Sequence, residues 1–177
     1  MTGDEFINDQ RKRLAKAQEK AFKVAVFDSH RLMGTRIFIE GEDSNEKKIG
    51  AYNSTDPIYV NPTNSPRKFA TGKFKNEKPR KTKRFESYRK FRAATGRRVD
   101  VVNLNLYGIL QNDFITGLRK VSNSVYESVL KQAVNAKKAD GQEKHFRTKI
   151  FSLSKHERLQ FFETVRRETI LILRGDA

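Results

Sequence analysis

The chain has neither cysteine nor tryptophan among its 177 residues. Disulfides and cysteine-bound zinc are thereby excluded, and a reducing compartment is compatible with the composition. Apolar residues are also scarce, at 36% against roughly 45–50% in an average globular chain. No apolar run approaches the roughly 20 residues that a membrane-spanning helix needs, so no membrane partner is expected. The opening residues MTGDEFINDQRKR contain no apolar signal core, and no secretory route is expected for them. The sequon Asn53-Ser54-Thr55 is therefore read as chance.

Acidic residues are nearly missing from one stretch. Residues 66–99 hold fourteen Lys or Arg and only two acids, Glu77 and Glu86, a net of +12 within a chain whose formal charge is +16. The remainder is close to neutral. A block of this kind needs a polyanion, an acidic partner surface or water on every side. All four prolines, Pro57, Pro62, Pro66 and Pro79, lie in or just before it. Within residues 41–85 only Ile58-Tyr59-Val60 suggests a short strand. A structureless stretch of this length is unusual inside a compact domain. The expectation is one domain over residues 1–177, with residues 42–90 forming an extended basic arm or insertion that orders on assembly.

The rest of the chain has foldable patterns. Thr2-Gly3-Asp4-Glu5 is a capping box, and a helix is expected to about His30. Ile7, Leu14, Ala17, Ala21, Val24 and Asp28 recur at spacings of seven, three, four, three and four, which is one helical stripe. Ile7, Leu14, Ala17, Ala21 and Val24 are the candidate contact positions of this helix, toward either the core or another subunit. Gly34 is expected to end it. Thr35-Arg36-Ile37-Phe38-Ile39-Glu40 then predicts a strand from its β-branched and aromatic content.

Residues 86–94 predict a short helix with Tyr88, Phe91 and Ala94 facing inward, ended by Gly96. Val102-Asn103-Leu104-Asn105-Leu106 alternates as a half-buried strand does. Residues 114–121 and 124–130 read as a hairpin about Ser122-Asn123-Ser124. A polar helix is expected over residues 132–144. A second capping box, Ser154-Lys155-His156-Glu157, opens a last helix reaching about Leu173, with Gly175 as its stop. Leu159, Phe162, Val165 and Ile172 are its expected buried stripe. The fold class is thus α+β: a long N-terminal helix, a small antiparallel sheet, a C-terminal helix and an extended basic arm.

No pattern of catalysis, metal binding or cofactor binding emerges. His30, His145 and His156 are isolated in sequence. Lys47-Lys48-Ile49-Gly50 lacks the glycines of a phosphate-binding loop. The acid pairs Asp4-Glu5 and Glu42-Asp43 suit helix capping and solvation. No enzyme activity and no cofactor are expected. The basic arm is the candidate site. Arg67, Lys68, Lys73, Lys75, Lys78, Arg80, Lys81, Lys83 and Arg84 interleave with Phe69, Phe74 and Phe85. Such cations neutralise phosphates, and exposed aromatics stack on bases. The same aromatics serve equally as anchors that pin an arm to a neighbouring subunit. Subunit docking, nucleic-acid backbone contact and plain solvation all remain open. Base-specific readout is not expected, because no recognition helix or RNA-binding motif is present.

Two segments carry a family resemblance. The first is Val102-Asn103-Leu104-Asn105-Leu106-Tyr107-Gly108-Ile109-Leu110-Gln111-Asn112-Asp113-Phe114. The second is Ile150-Phe151-Ser152-Leu153-Ser154-Lys155-His156-Glu157. Over residues 97–173 the chain resembles the tail-completion and neck proteins of tailed bacteriophages, the head–tail joining or virion morphogenesis proteins. It differs from their pattern at Tyr107, where a Thr is usual, and at Arg147-Thr148-Lys149, where Pro-Ala-Arg is usual. The resemblance implies a structural subunit of a homo-oligomeric ring around the DNA channel. Its neighbours would be portal, neck or tail proteins, with possible contact to the DNA backbone. It further implies assembly in the host cytoplasm and a final place in the virion, at the head–tail junction. The alternative is a nucleic-acid-binding protein without sequence specificity that works through the basic arm.

Overall fold

In a computed structural model, the described residues are 2–60, 69–70, 83–104, 108–122 and 124–175. The architecture is α+β. Helix α1 (Gly3–Thr35) is the longest element. Thr2 caps it through the expected box: the Glu5 N–H donates to Thr2 Oγ1 at 3.3 Å, and the Thr2 N–H to Glu5 Oε2 at 2.7 Å. No Pro or Gly lies between Asp4 and Met33. At 1.5 Å per residue its 33 residues span about 50 Å.

The expected strand at residues 35–40 is not present. The helix continues through Gly34 and loosens into a π-helical turn, Arg36–Glu40, closed by Gly41 at φ 71°. Packing overrides local β preference here. The turn brings Ile37 and Phe38 fully into the core, beside Met33, Ile49, Val102, Phe114 and Ile150. Gly41 is required on two counts. Its φ is left-handed, and a Cβ there would lie 2.9 Å from the Val102 carbonyl oxygen.

Strands β1 (Ile58–Val60), β2 (Phe69–Ala70) and β3 (Lys83–Phe85) form an antiparallel sheet of order β2-β1-β3, with Tyr59 opposite both Ala70 and Arg84. Helix α2 (Tyr88–Ala94) follows, capped by Ser87. Phe91 is buried as expected, but Ala94 is exposed and Arg92 takes the second inward position.

The expected strand at residues 102–106 is also absent among its described residues. Val101, Val102 and Asn103 are buried in succession, so the segment does not alternate between two faces. Leu104 then turns left-handed at φ 51°. Asn105 and Leu106 lie outside the described residues.

Helix α3 (Ile109–Ile115) occupies the first part of the expected hairpin, because Phe114 points into the core. The hairpin itself is β4 (Leu118–Ser122) with β5 (Val125–Ser128), antiparallel and irregular between Lys120 and Ser122. Its first strand abuts Gly117, where a Cβ would sit 1.9 Å from the Val129 carbonyl oxygen. Helix α4 (Ala133–Phe146) and helix α5 (Lys155–Arg174) complete the order. Helix α5 has the expected capping box at Ser154 and Glu157, and Gly175 ends it at φ 84°.

The major packing is α1 against α5. Arg36 meets Glu157 and Phe22 meets Phe161, so the helices run antiparallel. Small residues of α1, namely Ala17, Ala21, Ala25 and Ser29, allow the close approach. The inward side of α5 keeps Val165 and Ile172 of the expected stripe but not Leu159 and Phe162. Glu157, Phe161, Val165, Glu168 and Ile172 share one side of the helix and are buried or half-buried. Leu159 and Phe162, expected inside, face outward at 55% and 67% exposure. The sequence carries two apolar faces on this helix, and the hydrophobic pattern does not say which of them meets α1.

Candidate functional site

Most of the candidate arm lies outside the described residues: Arg67, Lys68, Lys73, Phe74, Lys75, Lys78, Arg80 and Lys81. Phe69 belongs to β2, and Lys83 and Arg84 belong to β3. Arg84 is exposed. Both ends of residues 42–90 pack against the body. Asp43 and Ile49 are buried at one end, and Phe91 and Arg92 lie just beyond the other.

Asp43 organises its turn by accepting the N–H of Asn45 at 2.8 Å, the N–H of Lys47 at 3.1 Å and the Thr148 hydroxyl at 2.5 Å. Burial works against its charged form. The Thr148 hydroxyl and the two backbone donors outweigh burial and hold the carboxyl below its ordinary range.

At the other end an aromatic cluster roots the sheet. Phe85 packs edge-on against Phe91 at 5.3 Å, and Tyr52 against Tyr88 at 5.2 Å. The Arg92 guanidinium sits 4.7 Å from the Tyr52 ring centre, within cation–π range. It also donates to the Arg98 carbonyl at 2.8 Å and to Asn103 Oδ1 at 3.0 Å. Arg92, though part of the basic block, is therefore a packing residue and not a cation presented to a partner. Burial pushes the Tyr52 phenol up, and the positive charge of Arg92 partly offsets this.

The candidate positions of α1 divide into two groups. Ala17 and Ala21 are buried where α5 crosses. Ile7, Leu14 and Val24 are exposed, at 49%, 40% and 40%. Every residue from 2 to 16 is exposed, so nothing described covers the first four turns of the helix. Phe6 and Ile7 stand open there, on the same stripe as Leu14.

On α5 the uncovered residues are Leu159, Phe162, Ile170 and Leu173. Sequence reasoning noted the first two but assigned them to the interior. Their spacing, with Arg166 between, is three, four, four and three, which places all five on one side.

A cavity of about 580 Å³ lies between β5, α4 and residues 149–152. Its acids are already compensated. Glu127 pairs with Arg119, Asp140 with Lys144, and Glu143 with Lys149. Burial opposes the charge of Glu143, but the N–H groups of Phe151 and Ile150, together with Lys149, hold its carboxyl low. His30 stacks on Phe114 at 4.3 Å and shares a hydrogen bond with Ser128 Oγ at 3.0 Å, a core position. Burial lowers its pKa. Among the described residues no group of three or more His, Asp or Glu could hold a metal ion, and no helix is long and apolar enough to cross a membrane.

Comparison with protein-family models, with curated proteins and with solved structures found no match.

Proposed function

We propose that this chain is a structural subunit of a phage head–tail connector, a neck or tail-completion ring that joins portal-side and tail-side proteins around the DNA channel. The observation that carries the reading is the pair of uncovered apolar stripes on the two long helices, at Phe6, Ile7 and Leu14 on α1 and at Leu159, Phe162, Ile170 and Leu173 on α5. An isolated helical end of some fourteen residues is marginal in water, and most helical stability in proteins comes from packing one apolar face. The uncovered turns of α1 therefore suit a subunit that finishes its packing in an assembly. The likeness of residues 97–173 to neck proteins supports the same reading, as does the +12 segment, which suits acidic grooves of adjacent rings or DNA in the channel.

The test is removal of residues 66–84 from the presumed phage protein. The folded body should persist while tailed particles fail to form. Normal tailed particles with the shortened chain would contradict the reading. The basic segment also favours the second reading, nonspecific nucleic-acid binding. That reading requires tight binding by the free protein with a steep salt dependence, and weak binding at low salt counts against it.

A further inference from the structure

We propose that the outer face of α5 docks an acidic amphipathic helix of a different protein, one that carries a carboxylate at the centre of its own apolar stripe. The inference stands on this face alone and holds with or without the connector reading.

Arg166 occupies the centre of the face. At about 100° per residue, Leu159, Phe162, Ile170 and Leu173 fan over about 80° of the helix surface, and Arg166 points along their middle. It is also midway along the stripe in sequence. Among the described residues no ion pair or side-chain hydrogen bond engages its guanidinium. Lys155, Arg158 and Arg174 surround the stripe, also without ion pairs among the described residues, while Arg167 is held by Glu168 at 3.0 Å. Glu163 is the one exposed acid of the helix.

This placement selects the occupant. A lipid surface takes cations at the margins of an apolar stripe, where they reach headgroups, and not at its middle. The phosphates of a nucleic acid would meet the bases but leave four large apolar side chains in water. A protein helix meets both demands. Its apolar residues cover the stripe, and a carboxylate pairs with the guanidinium as water is excluded, the setting in which arginine forms interface hot spots. A purely apolar partner would leave Arg166 a buried, unpaired charge. The surrounding bases favour further acids along the partner's flanks. Leu159 to Leu173 rises about 21 Å, so the partner needs about four turns.

A second copy of this chain does not supply such a helix. Another α5 face repeats the same bases. The start of α1 carries Arg11, Lys12, Arg13 and Lys16 against Asp4, Glu5 and Asp9, and Asp9 lies on the side away from Ile7 and Leu14.

The probe is a labelled synthetic helix of about four turns with a leucine stripe, one central Glu and Glu along both flanks. It is titrated into the full-length chain and followed by fluorescence anisotropy. Binding is expected, and Phe162→Ala should weaken it about tenfold or more. Arg166→Glu should do the same. A probe whose central Glu alone is replaced by Arg should regain affinity for that variant and bind the parent chain poorly. The basic segment at residues 66–99 would attract the acidic flanks of both probes alike, so this swap reports α5 and not that segment. Both altered positions are exposed, and thermal unfolding of each variant should match the parent. Equal binding by the parent and both variants would overturn the proposal, as would no binding. Attachment to phosphatidylserine vesicles or duplex DNA that falls with Phe162→Ala, without probe binding, would overturn it in favour of those ligands. A failed swap beside portal-matched copy number in particles sinks this docking site and leaves the connector reading standing. A successful swap with absence from the particle does the reverse.

Discussion

Arg36 Nε and Glu157 Oε1 lie 2.8 Å apart although 121 residues separate them in sequence, and both side chains are about 95% buried. The pair ties the end of α1 to the first turn of α5. Arg36 also donates to the carbonyls of Glu42 at 2.9 Å, Ile150 at 3.3 Å and Ser152 at 2.8 Å. The planar guanidinium thus satisfies three loop carbonyls and a carboxylate at once, a task for which lysine lacks the geometry. Glu157 closes the capping box as well, accepting the Ser154 N–H at 2.7 Å. Removing one partner leaves a buried charge uncompensated. Arg36→Met or Glu157→Ala should each lower unfolding free energy by about 3–5 kcal/mol, measured by urea denaturation. A loss below about 1 kcal/mol would show that the pair contributes little.

Phe161 and Phe162 are adjacent and their rings meet edge-on at 5.5 Å, yet they differ in burial. Phe161 meets Phe22 edge-on at 5.4 Å, while Phe162 is turned to solvent. Phe161→Ala should cost about 1–2 kcal/mol, less than the roughly 3–5 for a fully buried ring. Phe162→Ala should change the stability of the isolated chain by less than about 0.5 kcal/mol yet weaken binding of the acidic helix. Thermal unfolding of the two variants, beside titration with the labelled helix, separates these effects.

Asp113 joins α3 to the start of α4. Its carboxylate accepts the N–H of Lys131 at 3.2 Å, the N–H of Gln132 at 3.1 Å and the Asn135 side-chain amide at 2.9 Å. Asp113→Ala leaves the buried Asn135 amide and two partly buried N–H donors without this acceptor, at a cost of about 1–3 kcal/mol. Amide exchange should rise first in the opening turn of α4.

Stability should depend on pH in two separate windows. Burial lowers the pKa of His30 from 6.5, so between the lowered value and 6.5 the unfolded chain binds more protons than the native one. The stability held by neutral His30 is complete above pH 6.5 and is lost as pH falls through that window. His30→Phe should remove this slope. Asp43 and Glu143 act at lower pH. Their native pKa values are depressed from 3.8 and 4.5, so their contribution is present above those values and is lost as pH falls toward the folded ones. Urea unfolding from pH 8 to 3 reads both windows.

The parts of the fold legible in the sequence are those set by neighbours in the chain. The two capping boxes, Gly175 as a stop and the short helix within residues 86–94 all depend on residues a few positions apart. The errors come where distant packing decides. Ile37 and Phe38 have strand-like side chains, yet the core beneath Met33 and Phe114 holds them in a π-helical turn. Leu159 and Phe162 have helical spacing, but only the position of α1 distinguishes inside from outside. Arg36 resembled any other surface cation until Glu157 stood beside it. The exposed stripe of α5 was present in the spacing at residues 159–173, and it became a candidate site once the opposite side was found packed on Phe22 and the alanines of α1.

The most direct test of the connector reading is the copy number of this protein, relative to the portal protein, in purified particles of the presumed phage, measured by quantitative mass spectrometry. The account predicts a fixed ratio, equal to the portal's copy number or a simple fraction of it. Absence from the particle would contradict it and leave nucleic-acid binding as the explanation of the basic segment.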